Sequence, residues 1–437
     1  MAVATGGHRW ADLEKGAARR AETWRWVSRS RVRGLTVEAS GPAVSVRWDP
    51  PREGTVVRDV REGRQVEWAV PGWHDEWLAP NTATEIFRWL GAVPVDGVTL
   101  ADKIGRVRDV QARLMGRDPR IVQATVVYQE RIEETHITTE QFDRHAEVCR
   151  VLLAGVAIVH DQGRSDQDRA LCGRVGGFEV AQLSEEALEQ AVAGSLRLLS
   201  AGTIPPGVYR VVTHPEVTGV LAHEAFGHGV EMDLFLSGRA RAREMRGRRV
   251  GSSLATIIDD PGIPGGFANY PFDDDGTLAR AHTILDAGIL VGGLSDDDVR
   301  RALAADGGNG RRQDYSRKVY PRMSNTFFRP GTSTVGDLIA GVEHGVYLRQ
   351  VESGMEDPKN WGLQITCHTG EEIRDGRLTG RLYRTLAMTG DVPQVLLSID
   401  GAANDFAMSP GLCGKGWKEW VSNGTGGPHL RMTARLG

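Results

Sequence analysis

Hydrophobic and polar positions change their period several times along this chain. Gly34 to Trp48 alternates residue by residue, and Val56 to Val70 does so again across Arg61-Glu62-Gly63, which predicts strands joined by turns. Arg19 to Arg33 reads instead as a solvated first helix, with Ala17, Ala18, Ala21, Trp24, Trp26 and Val27 interspersed among its basic residues. Ala101 to Leu114 carries a helical period. It leads into Ile121 to Thr139, which reads as two strands around a turn at Arg131 to Glu134, and then into a longer strand from Val148 to Asp161. In Ser184 to Leu199, residues Leu188, Ala191, Val192 and Leu199 form one apolar stripe. Ser184 suits the N-cap, and Glu185 and Glu186 complement the positive end of the helix dipole. After Pro205-Pro206 comes a buried-looking strand, Val208 to Thr213. Thr283 to Leu294, Gly345 to Glu352, Gly362 to His368 and Val392 to Asp400 are short alternating runs in Gly-rich surroundings, a spacing that favours antiparallel sheet.

These patterns predict an α+β protein with an N-terminal α/β region followed by a largely antiparallel, β-rich C-terminal domain. Three parts are expected. Residues 1–90 hold a helix and strands with eight of the eleven Trp residues, 91–204 form a central α/β region, and 205–437 form the β-rich domain.

Composition narrows the classes of function. With 437 residues, a net charge of −4 and 25% charged residues, the chain has no global basic surface for nucleic acid. No stretch approaches the roughly 20 apolar residues of a membrane span. The first residues contain no signal-type apolar core, so a cytoplasmic location is expected. Four cysteines are too few for a disulfide framework, which leaves each as core filler, ligand or nucleophile.

Chemistry concentrates in His223-Glu224-Ala225-Phe226-Gly227-His228. Two imidazoles around a carboxylate suit a hydrolytic zinc site, with the Glu taking a proton from an activated water. The spacing is one residue longer than in H-E-x-x-H. On a regular helix, residues i and i+5 lie about 140° apart around the axis, too splayed to share an ion. The helix, expected from about Val217, must therefore distort after Glu224, and Gly227 and Gly229 permit it. A catalytic zinc site usually has three protein ligands. Cys413, in Pro410-Gly411-Leu412-Cys413-Gly414-Lys415-Gly416, is a candidate third ligand or simply a small residue in a tight turn, and Lys415 favours its thiolate. Glu231 and Asp233 could ligate, but are better suited to orienting an imidazole through a hydrogen bond. Asp273-Asp274-Asp275-Gly276 lacks the alternation of a calcium loop and reads as a turn.

His223 to Asp233 (H-E-A-F-G-H-G-V-E-M-D), Asn309 to Arg312, Pro321 to Thr326 with Pro330-Gly331, and Cys413-Gly414-Lys415 follow one another from about Pro205 to the C-terminus. Together they resemble the TldD/PmbA metalloprotease family, in the TldD-like branch that keeps its metal ligands. The resemblance implies one zinc per chain on His223, His228 and Cys413, with Glu224 as the catalytic base. It also implies a homodimer, or a heterodimer with a related TldE-like subunit, acting on peptide or peptide-like substrates such as unstructured peptides and peptide natural products. Arg322 and Asn325 are candidates either for gripping substrate backbone or for bracing a loop. Trp417 stands where the family more often has a small polar step, which bears on the substrate pocket. That departure motivates an alternative, hydrolysis of an amide or ester in a biosynthetic small molecule. A non-catalytic peptide-binding subunit of a TldD/TldE-type complex is the third reading, against which the retained Glu224 argues.

Overall fold

A computed structural model describes residues 24–61, 64–74, 77, 83–416 and 419–437. The first half of the chain forms one sheet from β1 (Trp24–Ser40), β2 (Ala43–Arg61), β3 (Arg64–Pro71), β4 (Glu85–Trp89), β5 (Ile121–Thr139), β6 (Asp143–Asp161) and β7 (Arg164–Val175). The order is β3-β2-β1-β5-β6, with β4 and β7 both on β6; only β4 runs parallel to its neighbour. The boundary expected at residue 90 does not interrupt this sheet. Helices α1 (Leu100–Met115) and α2 (Glu185–Leu198) cover one face. Val107, Val110, Leu114, Leu188 and Val192 pack there against Leu35, Val37, Tyr128, Val151 and Leu153. Ser184 caps α2 by accepting from Ala187 N. The opposite face meets the rest of the molecule through Trp26, Val56, Ile137, Ala146 and Phe272.

Three local expectations are corrected. Residues 24–33, expected to be helical, form the first half of β1, while residues 19–23 lie outside the described residues. Pairing with β2 on one edge and β5 on the other satisfies the backbone of this Arg-rich stretch, and its faces bury Trp26 and Val27. Ile121 to Thr139 is one continuous strand, because the charged residues expected to turn are held within the sheet: Glu133 by Arg150, and Arg131 by Glu133. Val392 to Leu397 is a short helix, started by Asp391, which accepts from Gln394 N, and by Pro393 in the first turn.

The second half contains β8 (Gly207–Thr213), α3 (Pro215–Phe226), β9 (Ile257–Asp259), β10 (His282–Asp286), β11 (Ile289–Leu290), β12 (Gly310–Arg311), β13 (Tyr320–Pro321) and β14 (Asn325–Phe328). It continues with β15 (His344–Asp357), β16 (Gly362–Arg374), β17 (Arg377–Asp391), β18 (Gly401–Ala402), β19 (Ala407–Lys415), β20 (Glu419–Gly427) and β21 (Leu430–Leu436). Two six-stranded sheets result, β11-β10-β9-β14-β20-β19 and β17-β16-β15-β8-β21-β18. Both are antiparallel except at β14–β20 and β15–β8.

α3 lies between these sheets, touching β14, β19 and β20 of one and β8, β15 and β16 of the other. A helix enclosed in this way must be apolar nearly all round, and Val217, Leu221, Ala222, Ala225 and Phe226 are fully buried. His214 caps it by accepting from Glu216 N, and the helix begins at Pro215, two residues earlier than the expected start. Gly219 permits the closest approach: a Cβ there would lie 2.4 Å from Gly426 N of β20. Among the described residues, no helix is long and apolar enough to cross a membrane.

Candidate metal centre

The last turn of α3 carries His223 and Glu224, and the helix ends where Gly227 N donates to His223 O. Only glycine fits here, since a Cβ would lie 2.1 Å from that carbonyl oxygen and 1.9 Å from Met323 Sδ. The chain tightens into a 3₁₀ turn, His228–Val230. Between the two histidines it is Gly227, at φ −91° and ψ −73°, that leaves the regular helical path. The two imidazoles end with ring centroids 5.0 Å apart and planes at 88°. Cys413 arrives from β19, its Sγ 3.4 Å from His228 Nε2. One ligand atom from each of His223, His228 and Cys413 lies within 4.8 Å of the others. Zinc with bonds of about 2.0–2.1 Å to nitrogen and 2.3 Å to sulfur needs tetrahedral ligand atoms roughly 3.3–3.6 Å apart, so this donor set fits.

Charge around these three side chains is closely arranged. Burial pushes the Cys413 thiol up, but His228 and His223 outweigh it and hold it well below the usual thiol range. Burial lowers His228, while Glu231 and Cys413 raise it well above the ordinary imidazole value. Glu231 Oε2 sits 3.2 Å from His228 Nδ1 and 3.0 Å from Lys415 Nζ. Burial alone would raise Glu231; Lys415 and His228 bring it down to about 2. Lys415 also donates to Asp233 Oδ1 at 2.9 Å and to Pro321 O at 3.2 Å. Asp233 therefore anchors the lysine, and Glu231 is the carboxylate in contact with an imidazole.

Arg322 and Asn325 are both fully buried. Arg322 donates to Cys413 O at 2.6 Å and Glu419 O at 3.3 Å, tying together the hairpin that carries the thiol. Asn325 Nδ2 donates to Asp260 O and Asn269 Oδ1, and its Oδ1 accepts from Ala268 N. Both brace loops, and neither faces open space from which it could grip a substrate. Trp417 lies outside the described residues.

Two site neighbours escaped the sequence reading. Asn423 of β20 places Nδ2 3.2 Å from His223 Nδ1, while its buried Oδ1 has no partner. Half a turn of that amide brings Oδ1 to accept from Nδ1–H and leaves Nε2 for a metal. Glu356 of β15 is the other. Oε1 is 2.7 Å from where a Cβ of Gly229 would lie, and neither carboxyl oxygen has a hydrogen-bond partner. Burial, with Glu224 and Glu231 acting in the same direction, pushes this carboxyl up to about 9. Neither residue has a local motif; only the register of distant strands brings them in. A second group with ligand-like spacing, Glu134, His145 and Glu147, is balanced by Arg31, 3.6 Å from Glu134, and Arg88, 3.4 Å from Glu147, and reads as an ion-pair network.

A His–His–Cys set, with His223 and Cys413 buried and His228 partly so, beside a carboxylate on the same helix as His223, defines a candidate metallohydrolase centre. Residues 206–435 match the PmbA/TldA metallopeptidase C-terminal domain, and residues 93–194 match the central domain of the same family. The chain belongs to the TldD/PmbA metallopeptidase family. It is 33% identical over 285 residues to a metalloprotease of Methanothermobacter thermautotrophicus, covering 65% of this chain and 62% of that protein. It is 28% identical over 365 residues to a metalloprotease TldD homolog of Haemophilus influenzae, covering 80% and 75%. A zinc metalloprotease TldD homolog of Saccharolobus solfataricus is 32% identical over 238 residues, covering 54% and 52%. Matching stretches thus span about three fifths of the first of these relatives and half of the last. TldE of Thermococcus kodakarensis shares the fold, with a TM-score of 0.74 at 13% identity, over 95% of this chain and 96% of that one. A crystallographically solved Thermotoga maritima protein does so at a TM-score of 0.77 and 17% identity, over 98% and 99%.

Proposed function

We propose that this protein is a zinc-dependent peptidase that hydrolyses peptide bonds in unstructured or modified peptides, including precursors of peptide natural products. The observation that carries the reading is the convergence of His223, His228 and Cys413 beside Glu224. Those three side chains would hold one zinc per chain, which supplies a Lewis acid that acidifies a bound water. Glu224, one residue from His223, takes the proton of the attacking water. Oxygen bonds to the peptide carbonyl carbon, the C–N bond breaks, and the proton passes to the departing amine. Glu231 and Asn423 hold the two imidazoles in orientation, and Lys415 keeps Glu231 ionised. A soluble, cytoplasmic dimer, with itself or with a TldE-like subunit, completes the proposal, and the shared fold of Thermococcus TldE supports it.

The decisive variant is Glu224→Gln. Metal analysis of the purified protein should find about one zinc per chain in parent and variant alike, while turnover of an unstructured peptide falls by on the order of 10²–10⁴-fold in the variant. A fully active Glu224→Gln enzyme would refute the mechanism.

A further inference from the structure

We infer that a cavity at the seam between the two halves binds a small anionic group, a carboxylate or a phosphate, through Arg349 and His214. Strand register brings these two residues together. β15 runs parallel to β8 with Leu348 opposite Thr213, and His214 N donates to Leu348 O at 2.9 Å, so His214 and Arg349 emerge side by side where that pairing ends. Leu348 packs into the core around α3, and successive strand residues point to opposite faces, so Arg349 points away from that core. It lines a cavity of about 610 Å³, to which β7 and α2 of the other half contribute Asp168, Arg174 and Gln190, and the second half His214 and Glu216. Arg174 and Gln190 are exposed, so a ligand can enter from solvent.

The carboxylates of this wall already have donors. Glu216 accepts from Arg169 and from Val351 N, Asp168 from Gln350 and from Arg169 N, and Glu179 from Val93 N and Gly177 N. Arg349 has neither a hydrogen bond nor an ion pair among the described residues, and its Nε is shut off from solvent without an acceptor. Its charge acts on Asp168, His214, Tyr347 and His429, which places the guanidinium among these groups. A guanidinium is always charged and presents its N–H groups as a planar fork, whose complement is an anion with two or more oxygens. His214 adds a second donor. Its Nδ1 accepts from Glu216 N, and burial together with Arg349 pushes the imidazole down to about 3, so the ring is neutral and its one proton sits on Nε2. That N–H has no acceptor among the described residues, and Arg174 at the mouth has no ion pair among them. What remains without a partner around this space is positive charge and N–H donors, the requirement of an anion and not of a cation.

Calorimetric titration of the zinc-loaded full-length protein with inorganic phosphate and with succinate tests the site, and does so independently of any peptidase activity. At least one anion should bind saturably, and Arg349→Gln should weaken that binding at least about tenfold with zinc content unchanged. Binding of phosphate alone identifies a phosphoryl ligand, binding of succinate alone a carboxylate, and binding of both a site that reads their shared charge and shape; each supports the inference. Binding of neither overturns it. Undiminished binding in Arg349→Gln also overturns it, because the anion would then sit on the zinc or elsewhere on the surface. A readout on the parent alone decides the matter even if the variant misfolds. The anion that binds should protect Arg349 from modification by phenylglyoxal, as mapped by peptide mass spectrometry, and equal modification with and without it overturns the inference.

Discussion

Lys415 makes the site possible at the scale of single residues. Burying Glu231 beside an imidazole is favourable only with a compensating charge, and the ammonium 3.0 Å away provides it. Cys413, two positions earlier on the same strand, faces the imidazoles with its thiol shielded from solvent. Replacing sulfur by a hydroxyl removes the soft, ionisable donor. Cys413→Ser should therefore lower zinc content at least tenfold after dialysis against a mild chelator, as read by metal analysis, without unfolding the protein. Full retention of zinc would place the third ligand elsewhere. His223, Glu224 and His228 are legible in the sequence because they are neighbours along the chain. Cys413 stands out through its glycine-rich neighbours and its resemblance to a family motif, although it lies on a strand and not in the tight turn that those glycines also allow. Asn423 and Glu356 carry no such mark, since any strand contains polar residues and only pairing decides which of them face a site.

At the scale of elements, α3 is the piece around which the second half is built. The glycine that ends it was readable, while its start lies before the expected one and its seat between two sheets depends on Gly219 meeting the backbone of β20. On an exposed helix, Gly→Ala stabilises by about 1 kcal/mol. Here the methyl group would press on Gly426 N and push away the strand that bears Asn423. Gly219→Ala should cost about 1–3 kcal/mol in denaturant unfolding and weaken zinc retention as well. A neutral or stabilised variant would mean that helix and strand are not packed this tightly. Two of the three misread elements share a cause. Residues 24–33 and 131–134 look helical or turn-like because they are charged, whereas their charges are neutralised by partners on neighbouring strands. Val392 to Leu397 looks strand-like from its aliphatic content, but Asp391 and Pro393 start a helix.

Across the whole molecule, the two halves are joined by buried polar contacts. Asp275 accepts from Arg58 at 3.0 Å through its carboxylate, and its backbone carbonyl accepts from Trp26 Nε1 at 3.0 Å. Asp273 and Asp274 accept from the backbone of Gly310 and Arg312, so the triple-Asp stretch is a closed turn wedged between the halves. Asp168 lies at another seam, where Gln350 of β15 donates to it, and burial pushes its carboxyl up to about 7. The native state therefore keeps a proton there that the unfolded chain releases above about 4, so stability falls as pH rises from about 4 to 7. Asp168→Asn removes that term. It should be more stable than the parent by on the order of 1–3 kcal/mol at pH 7.5 and nearly equal to it at pH 4, as measured by thermal melting. An equal effect at both pH values would show that Asp168 does not titrate in this window. By itself the sequence determined the Ser184 helix cap, most strand periods, the metal-binding spacing on α3 and the need for a bend after Glu224, because these follow from neighbouring residues and backbone geometry. Tertiary structure alone decided that Cys413 and Asn423, 185 and 200 residues beyond the imidazoles they approach, close on α3. The physical reason is that periodicity says which face of a strand is buried but not which strand lies beside it, and a binding site is made of what lies beside.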